Sequence, residues 1–351
     1  MNPYKSMPSR QYWSRSVSRD YDPASVGTFA TPLITRDDRV ITAGSCFAAN
    51  LVPYLEDHGL TYLRTEPRHP VFAQLPADNF SYDKFSAAFG NVYTVRQLLQ
   101  LIERCTGVFS PLEDRWHIEG QVIDPYRPGL RYPARSDREF DLLTARHLQA
   151  TREAFERCTV FIFTLGLTEA WVARADGAVF PACPGTIAGQ FDSDRHAFKN
   201  FNVAEVLADM EAALLAFRGL NPTARVILTV SPVPLVATAT AQHVLAATVY
   251  SKSVLRVAAE HGAAWMPNVS YFPSFEIVTS PAAPERFFEG DRRSVAKEAI
   301  DTVMSAFLSA CDTSVNMPPV PAEPLPSDAT PAALSAMVAT VECEEAGQDL
   351  G

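Results

Sequence analysis

A chain of 351 residues with 47% hydrophobic side chains can bury one large core with insertions, or two small ones. Its 40 acidic against 30 basic residues leave a formal charge of −10. That balance argues against nucleic acid and anionic membranes as partners, because no basic excess exists to neutralise phosphates. The cysteines at 46, 105, 158, 183, 311 and 343 are scattered, with no CxxC pair. They indicate neither a zinc site nor a disulfide framework, and reduced thiols in the cytoplasm are the simplest reading. The first twenty residues lack the apolar core of a signal peptide, and the longest apolar runs are too short to cross a bilayer.

In chain order, residues 1–35 read as an irregular leader pinned by Tyr4, Tyr12 and Trp13. Residues 39–43 form a first buried strand. Phe47, Leu51 and Leu55 share one face of a helix over 47–58, which Gly59 ends. A short strand follows at 60–63. Residues 64–135 form an insertion with a long loop at its start and a hairpin around Gly120, and it is expected to cap a site. Thr94 caps a helix running to about 104, and 137–157 is a second long helix.

The run at 159–165 carries no charge, and its unbroken apolar character suits a parallel sheet covered on both faces. A Gly- and Pro-rich loop to about 200 follows it. Further helices are expected at 203–217, 240–261 and 292–308, with strands at 225–230 and 264–271. Strands alternating with helices give an α/β fold, a three-layer α/β/α sandwich on a mainly parallel sheet over residues 36–312. The segment 313–351 is rich in Pro, Ala and acids and is expected to be disordered.

In such sheets the site lies beyond the carboxyl ends of the strands. Polar residues stand there at Gly44-Ser45, at Gly166 to Glu169, at Ser231 and from Tyr271 to Glu276. Ser45 begins a helix after a tight turn, a place that serves a nucleophile or a plain N-cap equally well. The adjacent Cys46 is an alternative nucleophile or a structural thiol. Gly90 and Asn91 are donors suited to an oxyanion, or a turn before a cap. Thr168 and Glu169 are a donor and a polar anchor, or a cap and a first-turn acid. Of seven histidines, His243 opens the helix after the Ser231 strand and is the best-placed base. His58, His147 and His261 fall on helices as surface residues. Asp291 precedes the last helix and could orient a base or cap that helix.

Together these residues resemble the GSCFA family, on the motif Gly44-Ser45-Cys46-Phe47-Ala48. Supporting segments are Phe89-Gly90-Asn91-Val92-Tyr93-Thr94, Thr164-Leu165-Gly166-Leu167-Thr168-Glu169, Ser231-Pro232-Val233-Pro234, Tyr250-Ser251-Lys252-Ser253 and Tyr271-Phe272-Pro273-Ser274-Phe275-Glu276. The family is similar to the SGNH (GDSL-like) hydrolases, which cleave or transfer acyl esters on a flavodoxin-like fold. The resemblance implies Ser45 as nucleophile, with its own N–H, Gly90, Asn91 and Thr168 as oxyanion donors. Thr168 replaces the superfamily's usual Asn. The superfamily's Asp-x-x-His is here Asp291-Arg292-Arg293-Ser294, so the histidine is missing and His243 becomes the expected base, helped by Asp291 or Glu169. Glu169, Tyr271 and Glu276 are expected to bind substrate.

The expectation is therefore a serine esterase or O-acyltransferase acting on an acyl ester of a small molecule or glycan, acetyl esters of carbohydrates among them. No metal or organic cofactor is implied. The alternative is a non-catalytic module that binds a glycan or other ligand at the same edge and has lost the histidine.

Overall fold

A computed structural model describes residues 2–67, 84–130 and 132–312, with only the backbone described at Cys46. His69, Cys343, part of the expected loop after residue 64 and the expected tail at 313–351 lie outside the described residues. Five parallel strands form the central sheet: β1 (Arg39–Gly44), β2 (Thr61–Tyr62), β5 (Val160–Leu165), β9 (Arg225–Val230) and β10 (Val269–Phe272), in the order β10-β9-β5-β1-β2.

Side chains alternate across each strand. Val160 and Ile162 join one core with Phe47, Leu51, Ile277 and Phe307, while Phe161, Phe163 and Leu165 join the other with Phe155, Phe217 and Leu255. The uncharged run at 160–165 is thus half of each core. One layer comprises the helices α1 (Cys46–Ala49), α2 (Leu51–Asp57), α7 (Ser274–Thr279) and α8 (Lys297–Ser309). The opposite layer comprises α3 (Val95–Thr106), α4 (Asp137–Arg157), α5 (Val203–Leu220) and α6 (Val244–Trp265). The expected three-layer α/β/α sandwich is what forms.

Several boundaries depart from the sequence reading. The helix expected over 47–58 breaks into α1 and α2 after Ala49. Pro53 has no N–H to give the Ala49 carbonyl, so the ladder is interrupted there. α6 begins at Val244 because the His243 imidazole Nδ1 accepts the Leu245 N–H and ends the loop at that point. The leader is not held by its exposed aromatics, since Tyr4 and Trp13 are 63% and 62% exposed. It is held by Phe29, stacked on Phe272, by the Tyr21 hydroxyl, which donates to the Ile277 carbonyl, and by buried Leu33 and Ile34. The Leu33 N–H bonds the Ala310 carbonyl and the Asp312 N–H bonds the Ile34 carbonyl, each at 2.8 Å. Close by, Asp38 ties the starts of β9 and β5 together through Arg225 and Thr159.

The largest difference is at 166–200, read from sequence as a loop. It folds as a second, antiparallel sheet of β6 (Glu169–Ala173), β7 (Val179–Phe180) and β8 (His196–Asn200), in the order β7-β6-β8. Trp171 faces Phe198 across it with ring centroids 5.7 Å apart. The expected hairpin, β3 (Trp116–Ile118) with β4 (Gln121–Ile123), packs on this sheet, Trp116 lying 5.8 Å from Phe180.

Candidate active site

The chain passes from β1 to β2 on one side and then returns across β1 to build β5, β9 and β10 on the other. The strand order reverses between β1 and β5, and the crevice beyond that pair is where open α/β sheets take ligands. Gly44 ends β1 opposite Thr164 of β5, so Ser45 is the first residue past the edge. The two strand ends are bridged by one short segment. The Val92 N–H bonds the Gly44 carbonyl at 2.8 Å, and the Tyr93 carbonyl accepts the Gly166 and Leu167 N–H groups at 3.0 and 2.9 Å. Gly90, with φ of +69°, and Asn91 lead into that segment. The 90–93 segment is thereby laid across the strand ends that lead to Ser45 and Thr168, while Asn91 lines a separate small cavity with Arg104, Tyr126, Arg127 and His147.

Ser45 occupies the N-cap position of α1, yet its side chain makes no capping bond. It is only 5% exposed, and its Oγ has no hydrogen-bond partner among the described residues. A serine kept for capping gives its oxygen to an N–H two or three residues on; this one does not. α1 is a single four-residue turn, so the field of a long helix contributes little here and the site relies on individual donors. Thr168 repeats the pattern. It is fully buried with an unpartnered Oγ1, while its backbone is fixed by the Ser251 hydroxyl, which accepts the Thr168 N–H at 3.1 Å. A buried hydroxyl left unbonded costs about 1–3 kcal/mol. Such hydroxyls also occur elsewhere among the described residues, at Thr144 and Thr151, so what sets Ser45 and Thr168 apart is their place just past the ends of β1 and β5.

Glu169 opens β6 rather than a helix, accepting the Thr238 hydroxyl at 2.7 Å and the Ala239 N–H at 3.4 Å. Burial raises its pKa against those donors. It lines a cavity of about 340 Å³ with Tyr93, Leu167, Trp171, Phe198 and Leu235. This cavity lies past the end of β5 with the second sheet as its wall; Ser45, Gly90, Asn91 and Thr168 are not among its lining residues, their nearest chain neighbours there being Tyr93, Leu167 and Glu169.

The remaining expected residues sit apart from this crevice or are engaged elsewhere. His243 is exposed and caps α6, and no hydrogen bond among the described residues joins it to Ser45 or Asp291. Asp291 accepts the Arg293 and Ser294 N–H groups at 2.9 Å and the Ser294 hydroxyl at 2.6 Å. Burial opposes its ionisation, but these donors outweigh it and hold the carboxyl below its usual value. Ser294 thus closes a turn on the aspartate. Tyr271 donates to Glu276 at 2.7 Å, and Glu276 also accepts from Arg256, whose guanidinium stacks 3.9 Å over the Tyr271 ring. Burial, and then the Glu276 charge, push the Tyr271 phenol up. This trio lies outside the walls of the cavity. Among the described residues no cluster of three His, Cys, Asp or Glu could hold a metal ion.

Sequence reasoning quoted Lys252 within the Tyr250–Ser253 segment but gave it no role. It is 2% exposed on α6, and its Nζ donates to the Gly166 carbonyl at 2.7 Å, at the end of β5. The signal was a lone cation beside Ser251 within the apolar side of that helix.

No helix among the described residues is long and apolar enough to cross a membrane. No curated protein matches the chain. A solved structure described as a candidate platelet activating factor from Streptococcus pneumonia is similar at 11% identity, over 74% of this chain and 90% of that one. Its TM-score of 0.30 is too low to carry fold or function. The GSCFA family pattern matches residues 39–307, and the chain belongs to the GSCFA family.

Proposed function

We propose that the chain is an SGNH-like serine esterase or O-acyltransferase, with Ser45 attacking the carbonyl of an acyl ester. The observation that carries this is the buried Ser45 hydroxyl, unbonded and uncapping, at the β1–β5 switch point. Thr168 Oγ1, equally unpartnered, is the proposed side-chain donor for the oxyanion, and the Ser45 and Gly90 N–H groups are the proposed backbone donors. The cavity beyond β5 suits the alcohol part of a carbohydrate ester. Trp171 and Phe198 offer faces for the C–H groups of a sugar, and Glu169 an acceptor for its hydroxyls.

A fluorophosphonate probe and short-chain acyl esters test the reading. Wild type is expected to be labelled and to turn over ester, and Ser45→Ala to lose about 10³-fold or more of both. Equal labelling of the two proteins would sink Ser45 as nucleophile. The second reading, a binding module without chemistry, is favoured by the engagement of Asp291 with Ser294 and of His243 with its own helix. It predicts an unlabelled wild type that still binds glycans.

A further inference from the structure

An acyl-transfer serine needs a group to take its proton, and neither His243 nor Asp291 is bonded to Ser45. β1 ends at Gly44, opposite Thr164 of β5, and β5 ends one residue later at Leu165. Ser45 and Gly166 are therefore the residues with which the two neighbouring strands leave the sheet, at the same edge. The Lys252 Nζ is 2.7 Å from the Gly166 carbonyl oxygen, so the amine stands at the β1–β5 edge where Ser45 begins α1. The lysine is carried by α6, a helix of 22 residues. The neighbouring residue on the same helix, Ser251, positions Thr168. One helix turn thus serves both the nucleophile's side and the oxyanion's side of the crevice.

Resting on the serine acyl-transfer reading, we propose that Lys252 is the general base of this site, taking the Ser45 proton directly or through one water. In the first step the Oγ–H proton passes to neutral Nζ, giving an ammonium, as Oγ bonds the acyl carbon and the carbonyl pair moves onto oxygen. Collapse of that oxyanion breaks the bond from the acyl carbon to the leaving alkoxide, which takes the proton from Nζ. A water or acceptor alcohol then loses its proton to Nζ, attacks the acyl carbon and releases Ser45 Oγ, which recovers the proton. The Gly166 carbonyl holds one N–H of the amine throughout and aims its lone pair. Taking an ammonium out of water disfavours its charged form, which is what lets a lysine act as a base. Serine–lysine pairs replace the histidine triad on unrelated folds by the same logic.

The test is the rate of fluorophosphonate labelling as a function of pH, on wild type, Ser45→Ala, Lys252→Met and Lys252→Arg, each with its thermal melt. Wild-type labelling is expected to rise with pH through one ionisation whose midpoint falls steeply on warming, as amine midpoints do and carboxylate midpoints do not. Lys252→Met is expected to slow labelling about 10²–10⁴-fold. Lys252→Arg keeps the charge and a donor for Gly166 but cannot lose its proton, so it is expected to recover the melting temperature and not the rate. Labelling unchanged in Lys252→Met, or restored by Lys252→Arg, overturns the lysine alone. A temperature-insensitive midpoint in wild type does the same even if the variants do not fold. An unlabelled wild type overturns the serine reading and this proposal together.

Discussion

Gly44→Ala is expected to destabilise the protein by roughly 2–6 kcal/mol, combining backbone strain with overpacking at about 1–3 kcal/mol each. Labelling of Ser45 is expected to disappear with it. Gly44 holds φ at +144°, a conformation that only glycine adopts without cost. A Cβ there would lie 2.6 Å from the Thr164 carbonyl oxygen and 2.7 Å from the Thr164 Cβ. Neither atom can yield easily, because Thr164 pairs on both sides, with Gly44 in β1 and Thr229 in β9. Relief would have to come from Gly44 itself, which would drag the Val92 N–H off its carbonyl and swing Ser45 out of register. Urea unfolding of the variant measures the first effect and probe labelling the second. A loss below about 1 kcal/mol would show that the turn relaxes freely and does not hold the serine.

Glu66→Leu is expected to cost about 3–5 kcal/mol, the usual result of removing one partner from a buried charge cluster. Glu66 accepts His147 Nδ1 at 2.7 Å and the Ala88 N–H at 2.8 Å, with Arg127 3.8 Å away. Arg127 in turn bonds Asp124 at 2.8 Å, and all four side chains are buried. The Ala88 N–H belongs to the segment leading to Gly90 and Asn91, so the cluster also anchors that segment. Chemical denaturation of Glu66→Leu beside wild type measures the cost, and a change within 1 kcal/mol would refute it.

The same cluster sets an acid limit. Burial works against the Glu66 anion, but His147, Arg127 and the Ala88 N–H outweigh it and hold the carboxyl below its usual value. Burial, and then Arg127, push His147 down, against the pull of Glu66, so a neutral imidazole donates Nδ1–H to the carboxylate. Both groups bind protons more readily in the unfolded chain, so stability rises with pH while they titrate. The contribution of His147 is full above about pH 6.5 and is lost below it. That of Glu66 follows below about pH 4.5. The wild-type melting temperature is expected to fall from pH 7 to 5, and His147→Gln to flatten that fall. A variant with an undiminished slope would assign the effect elsewhere.

The parallel sheet was readable because its strands pack on both faces, and an uncharged run such as 160–165 admits few other fates. α3 was readable from Thr94 as its cap, which the structure completes to a capping box with Gln97, and α4 matched its expected bounds. The sheet at 169–200 was not readable. Its strands are of two to five residues, and the Gly and Pro between them dominate any local reading, while pairing of Trp171 with Phe198 is a tertiary event. Lys252 and His147 were hidden for a related reason. Charge on a helix suggests solvent, and only the packed partner, the Gly166 carbonyl for one and Glu66 for the other, reveals that the polar face is turned inward. For His243 the sequence placed the residue at the start of its helix, and the structure shows the imidazole capping that helix.

The pairing of Leu33 with Ala310 and of Ile34 with Asp312 brings the entrance and exit of the domain to one pole. It is the pole where β1, β5 and β9 begin, stapled by Asp38, Thr159 and Arg225, and it faces away from Ser45. A short linker from Asp312 to Leu33 would close the backbone into a ring, and new ends opened at the exposed Glu119–Gly120 turn would leave the sheet whole. The architecture separates the Leu33–Asp312 pole from the Ser45 edge by the full length of the central strands.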